Sequence, residues 1–122
     1  MKNNKAILEK ANAAIKAGNN EGFLSYCTED TEWIFVGDIT LKGKEAVRQY
    51  MAVVYAEPPK ISIELMIEEG EFVTQMGKIS LKDDNGEMTD YLACDVLKFR
   101  EGKIAELKAF VIKENKIIET KN

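Results

Sequence analysis

At Pro58-Pro59 the hydrophobic period of the chain changes from that of a helix to that of a strand. Before the prolines, apolar residues recur at three- and four-residue spacing. Ile7, Leu8, Ala11, Ala14 and Ile15 form one stripe within residues 4 to 17. Gly18 stands where a left-handed cap belongs, and Asn19-Asn20 restarts a second short helix with Phe23, Leu24 and Cys27 on its buried side. Glu29-Asp30 predicts a polar break, and Trp33-Ile34-Phe35-Val36 a short strand ending at Gly37-Asp38. A third helix is expected over about Lys44 to Ala56, with Val47, Tyr50, Met51 and Val54 as its stripe. The two prolines stop it.

After the prolines, Ile61, Ile63, Leu65 and Ile67 alternate with Ser62, Glu64 and Met66 along one strand. Val73 to Leu81, Tyr91 to Phe99 and Ile104 to Ile112 read as three more, joined by turns at Glu69-Gly70, Asp83-Asp84-Asn85-Gly86 and Arg100-Glu101-Gly102. Asn85-Gly86 predicts a type I′ hairpin, which needs positive φ. Helices first and a meander afterwards mean an α+β fold with an antiparallel sheet covered on one face. The 122 residues read as one domain, 1–122, with a core over about 7–112. The charged tail, 113–122, is expected to fray.

Composition removes several classes of function. With 17 Lys and Arg against 21 Asp and Glu, the net charge is −4, and nothing resembles the clustered basic charge of a nucleic-acid grip. The chain has no histidine, which excludes Ser-His and Cys-His nucleophiles and His-ligated zinc. No metal site and no cofactor are expected, and the glycines follow turns without forming a phosphate loop. No apolar run approaches the length of a membrane span, and Met1-Lys2-Asn3-Asn4-Lys5 does not open a secretory leader. A cytoplasmic protein without a membrane partner is expected. Cys27 and Cys94 then read as small buried hydrophobes in a reducing compartment.

The run Tyr91-Leu92-Ala93-Cys94-Asp95-Val96-Leu97 is apolar on both parities except at Asp95. Such a strand has both faces covered. Three short helices can cover only one, so the outer face is expected to bury itself against a second copy, giving a homodimer.

The element order and four segments resemble the nuclear transport factor 2-like superfamily, in its SnoaL-like and ketosteroid-isomerase-like branch. The segments are Ala14-Ile15-Lys16-Ala17-Gly18-Asn19, Tyr26-Cys27-Thr28-Glu29-Asp30-Thr31-Glu32-Trp33, Lys42-Gly43-Lys44-Glu45-Ala46-Val47-Arg48-Gln49-Tyr50 and Leu97-Lys98-Phe99-Arg100-Glu101-Gly102-Lys103-Ile104. The resemblance implies a cystatin-like roll: a curved sheet wrapped into a cone, with three N-terminal helices closing a hydrophobic pocket. It also implies dimerisation through the sheet. Of the three catalytic groups of a ketosteroid isomerase, the base position falls at or next to Phe35 and the oxyanion tyrosine near Ala11. Only the oxyanion aspartate finds a match, at Asp95. Steroid isomerisation as such is therefore not implied.

Asp95 is the lone charge in its strand, on the row that the resemblance places inside the cone. Burial would raise its pKa and suit it to give or take a proton; a plain buried Asp satisfied by Arg48 or a backbone N–H is the competing reading. Trp33, Phe35, Tyr50, Tyr91, Leu107 and Ala109 are expected to wall the pocket. Gln75, polar on the inward parity of Val73, Gly77 and Ile79, is a candidate ligand contact. Asp38 and Glu32 are possible substitute bases, although a solvated turn suits Asp38 better. Met51, Met66 and Met76 read as adaptable fillers. Two functions follow. One is a cofactor-free enzyme that shifts a proton on a small hydrophobic molecule, as an isomerase, cyclase or dehydratase does. The other is a non-catalytic ligand-binding or dimerisation module of the same fold.

Overall fold

A computed structural model describes residues 3–83, 85–115 and 117–120. Helices α1 (Asn4–Lys16) and α2 (Asn20–Leu24) lead into strands β1 (Cys27–Phe35) and β2 (Thr40–Lys42). Helix α3 (Lys44–Val54) follows, and then strands β3 (Lys60–Glu69), β4 (Phe72–Lys82), β5 (Met88–Arg100) and β6 (Lys103–Lys113). The side chain of Asn3 caps α1 through Ala6 N, and that of Asn19 caps α2 through Gly22 N at 2.9 Å. Between those helices Gly18 takes the left-handed conformation, at φ 75°. No helix among the described residues is long and apolar enough to cross a membrane.

The six strands form one curved sheet in the order β2-β1-β6-β5-β4-β3. The helices lie on one face, α1 against β3 and β4 and α3 against β1 and β2. Between sheet and helices sits the core, with Leu8, Phe23, Leu24, Val47, Met51, Leu97, Phe99 and Ile104 fully enclosed.

Several expectations need correction. The sheet is not wholly antiparallel, because β1 runs parallel to β6, pairing Trp33 with Leu107 and Phe35 with Ala109. The early strand begins at Cys27, six residues sooner than expected. Glu29 and Asp30 do not break it: they are exposed and ion-paired to Lys44 and Arg100. Cys27 is buried as the first residue of β1 and is not part of α2. The short β2 was not foreseen, since Thr40-Leu41-Lys42 carries only one apolar residue. In α3, Val54 is exposed and does not belong to the buried stripe.

A bulge at Glu64 explains the largest error of parity. Ile63 pairs with Gly77, but the next partner pair is Leu65 with Met76, so one residue of β3 is left over. Beyond the bulge the faces exchange. Met66 packs on the core, whereas Leu65 and Ile67 are exposed on the outer face. The expected type I′ turn, which includes Asp84 outside the described residues, also differs in register. Asp83 N donates to Glu87 O at 2.8 Å, Gly86 N donates to Asp83 O at 3.0 Å, and Gly86 has φ 81°. A longer loop with one left-handed glycine replaces the two-residue connection. Strand β6 ends at Lys113, and the described residues after it form no helix or strand. The expected fraying tail includes Lys116, Lys121 and Asn122, which lie outside the described residues.

Candidate functional site

Strand pairing alone assembles the site. Phe35 lies opposite Ala109, Ala109 opposite Asp95, and Asp95 opposite Gln75, which makes one row across β1, β6, β5 and β4. The row above it runs Trp33, Leu107, Leu97 and Val73. Side chains directly opposite on one face are near neighbours, so these residues converge under the helices.

They enclose a cavity of about 80 Å³. Its wall includes Trp33, Phe35, Gln75, Asp95, Leu107 and Ala109, together with Leu8, Asn12 and Ile15 from α1. Tyr55, just past the end of α3, and Ile61, Ile63 and Ile79 complete the apolar side. A volume of this size is well below the roughly 300–1,000 Å³ of pockets for drug-sized ligands. The space fits a small ring or a short branched molecule more readily than a steroid.

The aromatic wall is a connected cluster. Trp33 meets Phe23 edge-on at 5.5 Å between ring centroids, and Phe35 and Tyr50 at 6.1 Å each. Tyr50 lies 5.2 Å from Phe35 and 6.3 Å from Tyr55. Such pairs contribute about 0.5–1.5 kcal/mol each beyond their burial and hold the rings in place. Tyr50 therefore backs the wall without lining the cavity. Burial pushes the phenols of Tyr50 and Tyr55 up, so both stay protonated.

Asp95 is the one carboxylate among the lining residues. Burial in this apolar setting pushes it up to about 6, and the hydrogen bond from Gln75 only partly opposes that. Gln75 Nε2 donates to Asp95 Oδ2 at 3.1 Å, and Asn12 Nδ2 donates to Gln75 Oε1 at 2.8 Å. Arg48 is not its partner: the guanidinium is bound to Glu21 and Glu45 at the surface. Lys78 also lines the cavity, but its Nζ is held by Glu114 at 3.3 Å. Asp95 therefore has no cationic partner among the described residues. A carboxyl group poised near 6 can give a proton or take one close to neutral pH.

The other expected positions fall elsewhere. Tyr91 is half-buried on the same row of β5 as Asp95, beyond the cavity wall. Asp38 is exposed in the turn after β1, and Glu32 is half-buried away from the cavity. Ala11 is fully buried and Met76 is exposed on the outer face. Asn12, a lining residue, escaped the sequence reading. Asn12 carried a signal: it sits four residues after Leu8 and three before Ile15, a polar residue on an apolar stripe. Tyr55, a phenol that the residues offered beside Tyr50 and Tyr91, does reach the cavity, because the helix ends at Val54 and the turn after it aims the ring.

Three helices against one face of a six-stranded curved sheet make the nuclear transport factor 2-like, or cystatin-like, class of fold. The SnoaL-like domain family matches residues 8–107, and the chain belongs to that family. No curated protein sequence matches the chain. Among solved structures, the epoxide hydrolase/cyclase-like enzyme SalBIII, with a role in pyran ring formation in the polyether salinomycin, is similar with a TM-score of 0.82 at 21% identity. That likeness covers 88% of this chain and 89% of SalBIII. An NTF2-like protein of unknown function from Burkholderia pseudomallei is similar with a TM-score of 0.80 at 19% identity, covering 89% of this chain and 90% of its own. A cystatin fold protein from Novosphingobium aromaticivorans is similar with a TM-score of 0.80 at 19% identity, covering 90% of this chain and 98% of its own. These likenesses establish the fold.

Proposed function

We propose that this SnoaL-like protein binds a small, hydrophobic, carbonyl-bearing molecule in the cone and moves a proton on it without a cofactor, with Asp95 as the acid or base. The observation that carries this reading is the Asp95 carboxyl, pushed up to about 6 in an apolar cavity and unpaired with any cation among the described residues. As a carboxylate it takes a proton from the carbon α to the carbonyl, leaving an enolate, and as the acid it returns one to the α carbon or, in a β,γ-unsaturated ketone, to the γ carbon, so that the double bond migrates. Trp33, Phe35, Leu107 and Ala109 supply the apolar walls, and Gln75 holds the carboxyl. The cyclase-like description of SalBIII suits such chemistry in this fold. A cytoplasmic location, without a nucleic-acid or membrane partner, accompanies the reading.

The test uses 3-cyclohexenone, a small β,γ-unsaturated ketone, in D₂O, with deuterium uptake and double-bond migration followed by proton NMR. The wild type should accelerate both, and Asp95→Asn should lose about 10²–10⁴-fold of that acceleration, the usual contribution of a positioned acid or base. Equal rates for the two proteins would leave the non-catalytic alternative, a ligand-binding or dimerisation module.

The outer face of the sheet supports the second half of that alternative. Leu65, Met76, Cys94 and Phe110 lie opposite one another across β3, β4, β5 and β6, an unbroken apolar row. Leu92 and Ile112 extend it on the next row. A second copy of the chain covers this face in our reading, because a row so long is costly to leave in water.

A further inference from the structure

A side-chain amide can turn either its oxygen or its NH₂ toward a neighbour, and something must decide which. At Gln75 the deciding residue is Asn12. Asn12 Nδ2 donates to Gln75 Oε1 at 2.8 Å, which leaves Gln75 only its Nε2 hydrogens to offer Asp95. Asp95 Oδ2 is thereby obliged to accept. Both amides are buried, Asn12 at 8% and Gln75 at 6% exposure, so water does not compete for these bonds.

We propose that Asn12 is a positioning residue for Asp95, acting through Gln75: the one-way chain from α1 to β4 to β5 fixes Oδ2 as an acceptor and assigns the Asp95 proton to Oδ1. The inference rests on the reading of Asp95 as the working group. It adds a residue that never touches the carboxyl and a direction for the bonds. Reversing the chain would place Gln75 Oε1 against Asp95, and the carboxyl could then hold that contact only by keeping its proton on Oδ2. With the observed polarity, the ionised form keeps its hydrogen bond and the protonated form has its O–H on the oxygen not engaged by Gln75. The groups facing Asp95 are few: Gln75 on β4, Ala109 on β6 and Tyr55 beyond α3, with Lys78 at the cavity wall tied to Glu114.

The experiment is a titration of the ligand-free full chain, with the Asp95 carboxyl carbon and the Gln75 side-chain NH₂ followed by NMR. In the wild type the Gln75 NH₂ resonances should move with the Asp95 midpoint. Asn12→Val should raise that midpoint by about one unit, because the charged form loses its oriented donor. Gln75→Leu should raise it by a similar amount, and the double variant should add nothing to Gln75→Leu. An unchanged midpoint in Asn12→Val, or shifts that add in the double variant, would overturn the proposal. Should either variant fail to fold, the wild-type titration decides alone: Gln75 NH₂ resonances indifferent to the Asp95 midpoint also overturn it. No ligand is needed, so an intact relay in a protein inert toward ketones would refute the proposed function and leave this inference standing.

Discussion

Gly77 lies opposite Ile63 across β3 and β4 so closely that a Cβ on it would collide with Ser62 O and come within 2.9 Å of Ile63 Cα. The contact sits immediately before the bulge at Glu64, where β3 bends and exchanges its faces. Backbone stands where a side chain would go, and backbone cannot step aside as a flexible side chain can.

Gly77→Ala should therefore destabilise the fold by about 1–3 kcal/mol, the usual cost of overpacking. Denaturant unfolding at fixed pH measures it. Gly37→Ala makes the comparison, since at Gly37 nothing would meet a Cβ and only the φ of 83° opposes the change. A Gly77→Ala protein as stable as the Gly37→Ala one would contradict the close approach.

Asp95 should make stability fall as pH rises from about 4 to about 6. Its folded pKa, about 6, lies above the ordinary carboxylate value, so in that window the folded state binds more protons than the unfolded one. The sign is opposite to that of an ion-paired carboxylate. Asp95→Asn removes the titration, so the variant should gain roughly 2–3 kcal/mol on the wild type at pH 7.5 and almost nothing at pH 4. Chemical denaturation of both proteins at the two values checks it, and a gain independent of pH would disprove the burial cost.

The outer apolar row should assemble two copies. Light scattering behind size exclusion should give twice the chain mass at micromolar concentration. Phe110→Lys, which places a charge at the β6 end of the row without touching the cavity wall, should give the single-chain mass. A wild type that elutes as one chain would count against the dimer.

Cys27 should resist alkylation while the protein is folded. Burial pushes Cys27 up to about 12, and its Sγ lies 3.8 Å from Phe23 O at the start of β1. Iodoacetamide at pH 8 should leave Cys27 unmodified in the folded protein and modify it once denaturant is added. Mass spectrometry of peptides containing Cys27 and Cys94 reads both sites. Rapid modification of Cys27 in the native state would mean that β1 opens far more readily than its burial suggests.

How much of this was legible in the residues varies with the kind of information needed. Helix stripes, caps at Asn19 and Gly18, and the shared parity of Leu107 and Ala109 follow from local periodicity, which a single chain displays, whereas the inward side of the Asp95 row came from the family resemblance. The exchange of faces at Glu64 could not be read, because a bulge leaves the sequence looking like an ordinary alternating strand. The strand character of Glu29 and Asp30 was hidden because their polar side chains are satisfied by Lys44, Arg100 and solvent. The pairing of β1 with β6, and the partnership of Asn12 with Gln75 at a separation of 63 residues, are decided by tertiary packing alone. That Tyr55 lines the cavity while Tyr50 only backs its wall is decided where the helix ends at Val54, which local periodicity does not show.

The parallel pairing of β1 with β6 has a bearing on how the chain acquires its shape during synthesis. Of the six described strands, the one that leaves the ribosome after the other five takes the middle of the sheet, between β1 and β5. Until residues 103–113 emerge, Trp33 and Phe35 have no neighbour on that side, and β5 offers an open edge beside Asp95. The N-terminal elements and the β3–β5 meander are thus two unfinished halves joined by β6. A nascent chain stalled before Leu107 would expose the very surface that the finished protein folds inward, and it is the stage at which a chaperone would find most to hold.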